Sequence, residues 1–233
     1  MGKTFQARLD TLPESQKQVW PELDAVPDRF VLYGGTALAL QLGHRVSEDF
    51  DFFSSGGFDP DRLRSQLPFF RDLDVSNPEV WVHRKQDNLE AFVERGGGVV
   101  KVAFFGGLST LKRIEEPLRA EGSRVQVASL VDLAGMKMRV IQMRGSWKDY
   151  VDIHALAIAG IEVATGLAAA RAIDRGFDAG LSVRALQFYG DGTLDRVPEE
   201  MKRDLTKWAR AVDLATLPRL HGREELSPGG LEQ

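Results

Sequence analysis

Asp49 and Asp51 follow a Gly34-Gly35 pair within the stretch FVLYGGTALALQLGHRVSEDFDFF (30–53). Residues two apart on a strand leave the same face, and two neighbouring carboxylates repel unless a cation sits between them. A hard cation, Mg²⁺ or Mn²⁺, is the natural partner, and Mg²⁺ is commonly held by one or two carboxylates together with substrate phosphates and water. A Gly-Gly pair that ends a β-rich run and opens a helix supplies the other half. It presents backbone N–H groups and the positive end of a helix dipole, with no Cβ to keep a phosphate away. Alone, a Gly-Gly is usually a turn and an Asp-x-Asp a solvated acidic face. Their joint spacing is what points to metal-assisted phosphoryl transfer.

These residues need strands and helices in a particular order. RFVLY (29–33) reads as a strand ended by the glycines, TALALQLGH (36–44) as the helix that follows, and SEDFDFFS (47–54) as a strand with one polar face. Residues 15–26 read as a short helix containing Pro21, and 60–67 as another. VWVHRK (80–85), LEAFVE (89–94) and VVKVAFF (99–105) read as successive strands, the last two joined by an RGGG turn. From Ser129 onward the pattern is helical, with Ser129 and Asp132 spaced as a capping box. The expected architecture is α/β (α+β): a mixed, mostly antiparallel sheet flanked by helices over 1–128, then a helical C-terminal domain over 129–233 that completes the site. LSPGGLEQ (226–233) reads as a frayed tail.

Composition narrows the function classes. The 233 residues are 43% hydrophobic and 27% charged, as in ordinary globular domains. There is no cysteine, so no disulfide or thiolate metal site. No apolar run is long enough for a membrane span and no hydrophobic leader is visible, which implies a cytoplasmic location. A net charge of −4 gives no global attraction to nucleic acid, so any RNA-binding surface is local. HRK (83–85), LKR (111–113) and the Lys137–Lys148 region are the candidates. His44, His83, His154 and His221 lack zinc-ligand spacing, there is no Gly-x-Ser-x-Gly elbow, and RGGG has no following Gly-Lys-Ser/Thr.

The block GGTALALQLGHRVSEDFDFF resembles the Gly-Gly and Asp-x-Asp signature of the DNA polymerase β-like nucleotidyltransferase superfamily. Within it, the Gly-Gly-Thr-Ala-Leu, His-Arg-x-Ser and Asp-x-Asp-Phe-Phe pattern is similar to the AbiEii/AbiGii toxin family of abortive-infection systems. ASLVDLAGMKMRVIQMRGSWKDYVDIHAL (128–156) resembles that family's downstream helical motif. The resemblance spans roughly residues 28–160. It implies a nucleotidyltransferase fold and a nucleoside triphosphate substrate held at Gly34, Gly35, Thr36, Arg45 and Ser47. Asp49 and Asp51 would bind the metal, Lys137 would contact phosphates, and Asp152 would belong to the site, with Asp149 a weaker candidate. It further implies an RNA acceptor, such as a tRNA 3′ end, and a cognate antitoxin protein.

Two features bear on that reading. A single helix from Leu130 to His154 would put Lys137, Arg144 and Lys148 on one cationic stripe able to face the triphosphate, unless Gly145-Ser146 breaks it. The alternative for that block is a solvated helix face with Lys148 and Asp152 paired at i,i+4. Many members of the superfamily carry a third carboxylate on a later strand, where VVKVAFF has Ala103. A catalytically degenerate module that binds nucleotide or a protein partner is therefore the alternative function. Trp81, Trp147 and Trp208 read as core or interface anchors, with Trp147 also placed to pack on a nucleobase.

Overall fold

The polar and apolar alternation of SEDFDFFS becomes a strand whose Phe50 and Phe52 are buried and whose aspartates lie on the opposite face. The structure, a computed structural model, describes residues 3–71, 73, 82–223 and 225–227, with the backbone alone at 82–84. Trp81, Val80, most of the LSPGGLEQ tail and the side chains of His83 and Arg84 thus lie outside the described residues.

In chain order the elements begin with β1 (Thr4–Phe5), α1 (Glu14–Val19), β2 (Val31–Tyr33), α2 (Gly34–Leu42) and β3 (Asp49–Phe53). Next come α3 (Pro60–Gln66), α4 (Pro68–Arg71), β4 (Val82–Lys85), β5 (Asn88–Arg95), β6 (Gly98–Phe105), β7 (Leu118–Ala120) and β8 (Gln126–Val127). The helices α5 (Leu130–Val140), α6 (Trp147–Ile158), α7 (Val163–Ile173), α8 (Ala179–Ala185) and α9 (Glu199–Ala211) follow. The chain divides into two compact units. One comprises Met1–Leu111, Glu116–Ala128 and Glu225–Gln233, the other Lys112–Glu115 and Ser129–Glu224.

Among the described residues the first unit holds a mixed sheet of eight strands in the order β1-β7-β8-β2-β3-β6-β5-β4. Four of its seven pairings are antiparallel (β2–β3, β4–β5, β5–β6, β7–β8) and three parallel (β1–β7, β2–β8, β3–β6). One face is dry and rich in aromatic side chains. Phe52 stacks on Phe104 at 5.1 Å between centroids, with Phe30 and Phe70 edge-on to Phe104. β5 and β6 meet in a two-residue turn at Gly96 and Gly97, both at positive φ (57° and 76°), the geometry that a right-twisted hairpin favours. That turn pins the register across β5 and β6, and hence which side chains share the Asp49–Asp51 face.

In the second unit α5 lies so close to α7 that a Cβ on Gly135 would meet Ile173 Cδ1 at 2.6 Å and the backbone of Ala169 and Ala170 at 3.0 Å. The core around this crossing includes Met138, Tyr150, Leu167, Leu186 and Leu205. Ser129 caps α5, accepting from the Asp132 amide at 3.1 Å. The reciprocal half of the expected capping box differs. Asp132 takes the Ser129 hydroxyl and the amides of Ile114 and Glu115, fastening the Lys112–Glu115 strap to α5.

Three sequence expectations need correction. Residues 15–26 are not one helix: α1 stops at Val19 and a 3₁₀ turn, Trp20–Ala25, takes over where Pro21 supplies no amide. The helix read from Thr36 begins at Gly34 and ends at Leu42, closed by Gly43 at φ 69°, which leaves His44 beyond it. The Leu130–His154 helix does not exist. α5 ends at Val140 and α6 starts at Trp147, so Lys137, Arg144 and Lys148 share no stripe.

Candidate active site

The sequence-predicted phosphate cradle and carboxylate pair come together in the first unit. Gly34 has φ 76°, a conformation open to glycine and strained for other residues. A Cβ on it would lie 2.8 Å from Asp51 Oδ2, so the carboxylate occupies the space the missing side chain leaves. A Cβ on Gly35 would collide with the Arg45 guanidinium and sit 2.9 Å from Ser47 Oγ. Tyr33, the N-cap of α2, offers no side-chain acceptor to the first helical amides. The Thr36 hydroxyl donates to the Asp49 carbonyl, tying the helix start to β3. A backbone amide end, a guanidinium, a hydroxyl and a carboxylate thus converge on two glycines. Residues of those types are what a polyphosphate and its counter-ion require.

The strand register extends this face sideways. Asp49 pairs with Lys101 across β3 and β6, and Asp51 with Ala103, which itself faces Glu90 on β5. Lys101 Nζ is 2.7 Å from Glu90 Oε2. Burial alone would lower the Lys101 pKa, but Glu90, then Asp51 and Asp49, outweigh it and hold the ammonium above its ordinary value. Among the described residues no group of three or more His, Asp or Glu is placed to hold a metal. Two carboxylates on one strand face nevertheless fit a single Mg²⁺ whose other ligands are phosphate and water.

Sequence reasoning missed Glu90 and Lys101, although the signal was present. Once the Gly96-Gly97 turn is placed, counting back along the hairpin sets Glu90 opposite Ala103.

The second unit builds a buried charge cluster from α5, α6 and the segment linking them. Lys137 Nζ lies 2.7 Å from Asp149 Oδ1 and 2.6 Å from Asp152 Oδ2. Asp149 also takes the Arg144 guanidinium at 2.8 and 3.2 Å. The Asp149 and Asp152 side chains are 1% and 0% exposed, that of Lys137 9%, and that of Arg144 62%. Two cations therefore meet two carboxylates, a balanced cluster in place of the expected cationic ridge. Burial would raise the Asp149 pKa, but Lys137 and Arg144 together pull it below the usual carboxylate range. Burial would lower that of Lys137, and Asp152 and Asp149 reverse the direction. Asp149, the weaker candidate in sequence, is the residue that both cations share. Lys148 stands in the first turn of α6 and is half-buried.

The indole of Trp147 packs on the helical core and carries the Arg196 guanidinium over its ring at 4.7 Å. Trp208 stacks on His154, whose Nε2 is 3.1 Å from Asp204. Both indoles are anchors. Among the described residues no single helix is long and apolar enough to cross a membrane.

The family model for the nucleotidyl transferase AbiEii toxin of type IV toxin–antitoxin systems matches residues 22–220. The chain belongs to the AbiEii family. The match covers both the Gly34–Asp51 face and the Lys137–Asp152 cluster, so both lie in family sequence. The AbiEii chain is also 34% identical over 127 residues to protein aq_aa25 of Aquifex aeolicus (strain VF5), an alignment covering 54% of this chain and 57% of that protein. It thus spans little more than half the length of that relative. Its fold is similar to MenT4, a nucleotidyltransferase toxin from Mycobacterium tuberculosis H37Rv, with a TM-score of 0.53 at 16% identity, covering 86% of this chain and 83% of that one. It is likewise similar to JHP933 from Helicobacter pylori, with a TM-score of 0.51 at 19% identity over 84% and 87% of the two chains. The mixed α/β fold of nucleotidyltransferase toxins is thereby established for this AbiEii chain.

Proposed function

We propose that this family member is a Mg²⁺-dependent transferase that moves a nucleoside monophosphate from a nucleoside triphosphate to an RNA acceptor, such as a tRNA 3′ end, in the cytoplasm. The observation that carries the reading is the convergence of Asp51, Arg45 and Ser47 on Gly34 and Gly35. The α2 amides and Arg45 hold the β- and γ-phosphates, and Ser47 donates to a phosphate oxygen. Asp49 and Asp51 would hold a divalent metal ion, which when bound would supply charge neutralisation at the α-phosphate. The acceptor hydroxyl oxygen bonds to the α-phosphorus, and the bond from that phosphorus to the β-phosphate bridging oxygen breaks. Pyrophosphate departs with the electron pair.

The acceptor's proton passes to water as pyrophosphate leaves. In the helical domain, which we take as 129–233 following an α/β domain over 1–128, Lys137 joins Asp149 and Asp152 while Arg144 anchors Asp149. Lys148, Lys85 and Lys112 offer local contacts to the RNA backbone. A type IV antitoxin restrains the activity.

Ala103 favours a second reading, a module that binds nucleotide without turnover, because the strand position beside Asp51 carries only a methyl group. Thermal unfolding and end-group analysis separate the two. Mg²⁺ with nucleoside triphosphate should raise the melting temperature in either case. Only the transferase adds one nucleotide to purified tRNA. Neither effect in the wild type would overturn both readings.

A further inference from the structure

The Asp49–Asp51 face has a feature that a plain one-metal or two-metal site does not explain. Where a third carboxylate would stand beside Asp51, the chain has Ala103, fully buried and reaching no further than its methyl group. Two residues along the same strand and the same face, directly opposite Asp49, it has a lysine. That lysine is not left to solvent. Glu90, whose strand position faces Ala103, reaches back along the face to Lys101 and holds its ammonium at 2.7 Å. Both side chains are largely covered, at 29% and 16% exposed. The acid is thus displaced by one strand, and a positive charge stands two residues along the strand that it vacated.

We propose that Lys101, held by Glu90, is the second cation of this site, a positioning residue that balances the Asp49–Asp51 pair and leaves it a single divalent ion. The proposal rests on the transferase reading above. A lysine ammonium beside the carboxylates neutralises them in part without requiring ligands of its own, which a second Mg²⁺ would need and Ala103 cannot supply. Glu90 moderates that charge. With Glu90 present, the ammonium is shared between Glu90 and the aspartates; without it, the whole charge falls on the aspartates.

This gives two substitutions opposite signs, which a merely structural ion pair would not do. The test is titration of the full-length chain with Mn²⁺ alone, counting free ion by electron paramagnetic resonance, with circular dichroism as the control for folding. Wild type should bind one Mn²⁺ per chain, lost in Asp51→Asn. Lys101→Met should tighten that binding by roughly fivefold or more, since the competing positive charge opposite Asp49 is removed. Glu90→Gln should weaken it by a similar factor, and Lys101→Arg should restore wild-type affinity. Equal affinities in wild type, Lys101→Met and Glu90→Gln, or shifts of one sign in both variants, would overturn the proposal while leaving the transferase reading intact. Two Mn²⁺ per wild-type chain would overturn it as well. Mn²⁺ binding that Asp51→Asn does not change would instead count against the transferase reading itself, and with it this proposal.

Discussion

The carboxylate of Asp51 lies in the space that a side chain on Gly34 would fill, 2.8 Å from where its Cβ would be. Gly34 opens α2 directly after β2 and Asp51 lies on β3, the antiparallel neighbour of β2, in which Tyr33 pairs with Asp51. A single methyl group at Gly34 would therefore push on the Asp51 carboxylate and force a left-handed backbone on an L-residue. Gly34→Ala should lower stability by about 1–2 kcal/mol from the backbone term alone. Nucleotide-dependent thermal stabilisation should disappear with it. Chemical unfolding with and without Mg²⁺ and nucleoside triphosphate measures both effects.

Lys137 is the hub of a buried cluster, so its removal should be felt in stability as well as function. Lys137→Met leaves Asp149 and Asp152 buried without the ammonium that joins them. The expected loss is about 3–5 kcal/mol in urea unfolding, the range for breaking a buried pair from one side. The exposed Lys207→Met, on α9, should by contrast change stability by less than about 0.5 kcal/mol.

The same cluster sets the pH range of stability. Asp149 has a folded pKa below its unfolded one, so its contribution is present above pH ~3.9 and is lost as pH falls through the depressed value. Lys137 has a raised pKa, so its contribution is complete below pH ~10.4 and is lost as pH rises through the raised value. Asp132 runs the other way. Burial raises its pKa despite the hydrogen bonds from Ser129, Ile114 and Glu115, so it opposes folding above the raised value and less so below it. Thermal unfolding from pH 3 to 11 should show a plateau bounded by these limbs, and Asp149→Asn should flatten the acid limb.

Gly135 tests the helical unit separately. Its substitution by alanine would drive a methyl group into Ile173 and the α7 backbone. We expect a loss of about 1–3 kcal/mol, the range for overpacking a tight core. Pairing Gly135→Ala with Ile173→Val should recover part of it, because the 2.6 Å contact is with the Ile173 Cδ1 that valine lacks.

Legibility in the sequence followed the strength of local patterning. β3, β5 and β6 alternate cleanly enough to be placed within a residue or two, and the Gly34-Gly35 junction follows from glycine's access to positive φ. β1, β7 and β8 are two or three residues long and owe their existence to partners far along the chain, so no local period announces them. The break after Val140 was suggested by Gly145-Ser146, yet the consequence was not: it folds Asp149 and Asp152 back onto Lys137. The Glu90–Lys101 pair was hidden for a related reason. Its meaning lies in cross-strand register, and the residues are unremarkable until Ala103 is seen between Asp51 and Glu90.

The central claim is that the Gly34-Gly35 face with Asp49 and Asp51 transfers a nucleoside monophosphate. Its most direct test supplies each of the four α-³²P nucleoside triphosphates, with Mg²⁺, to total tRNA and to cell protein, using wild type and Asp51→Asn. Label should pass from at least one donor to RNA with the wild type and fall by about a thousandfold in Asp51→Asn, a loss on the scale of removing one strong electrostatic contact to the transition state. Undiminished transfer in the variant, or none from any donor with the folded wild type, would contradict the account.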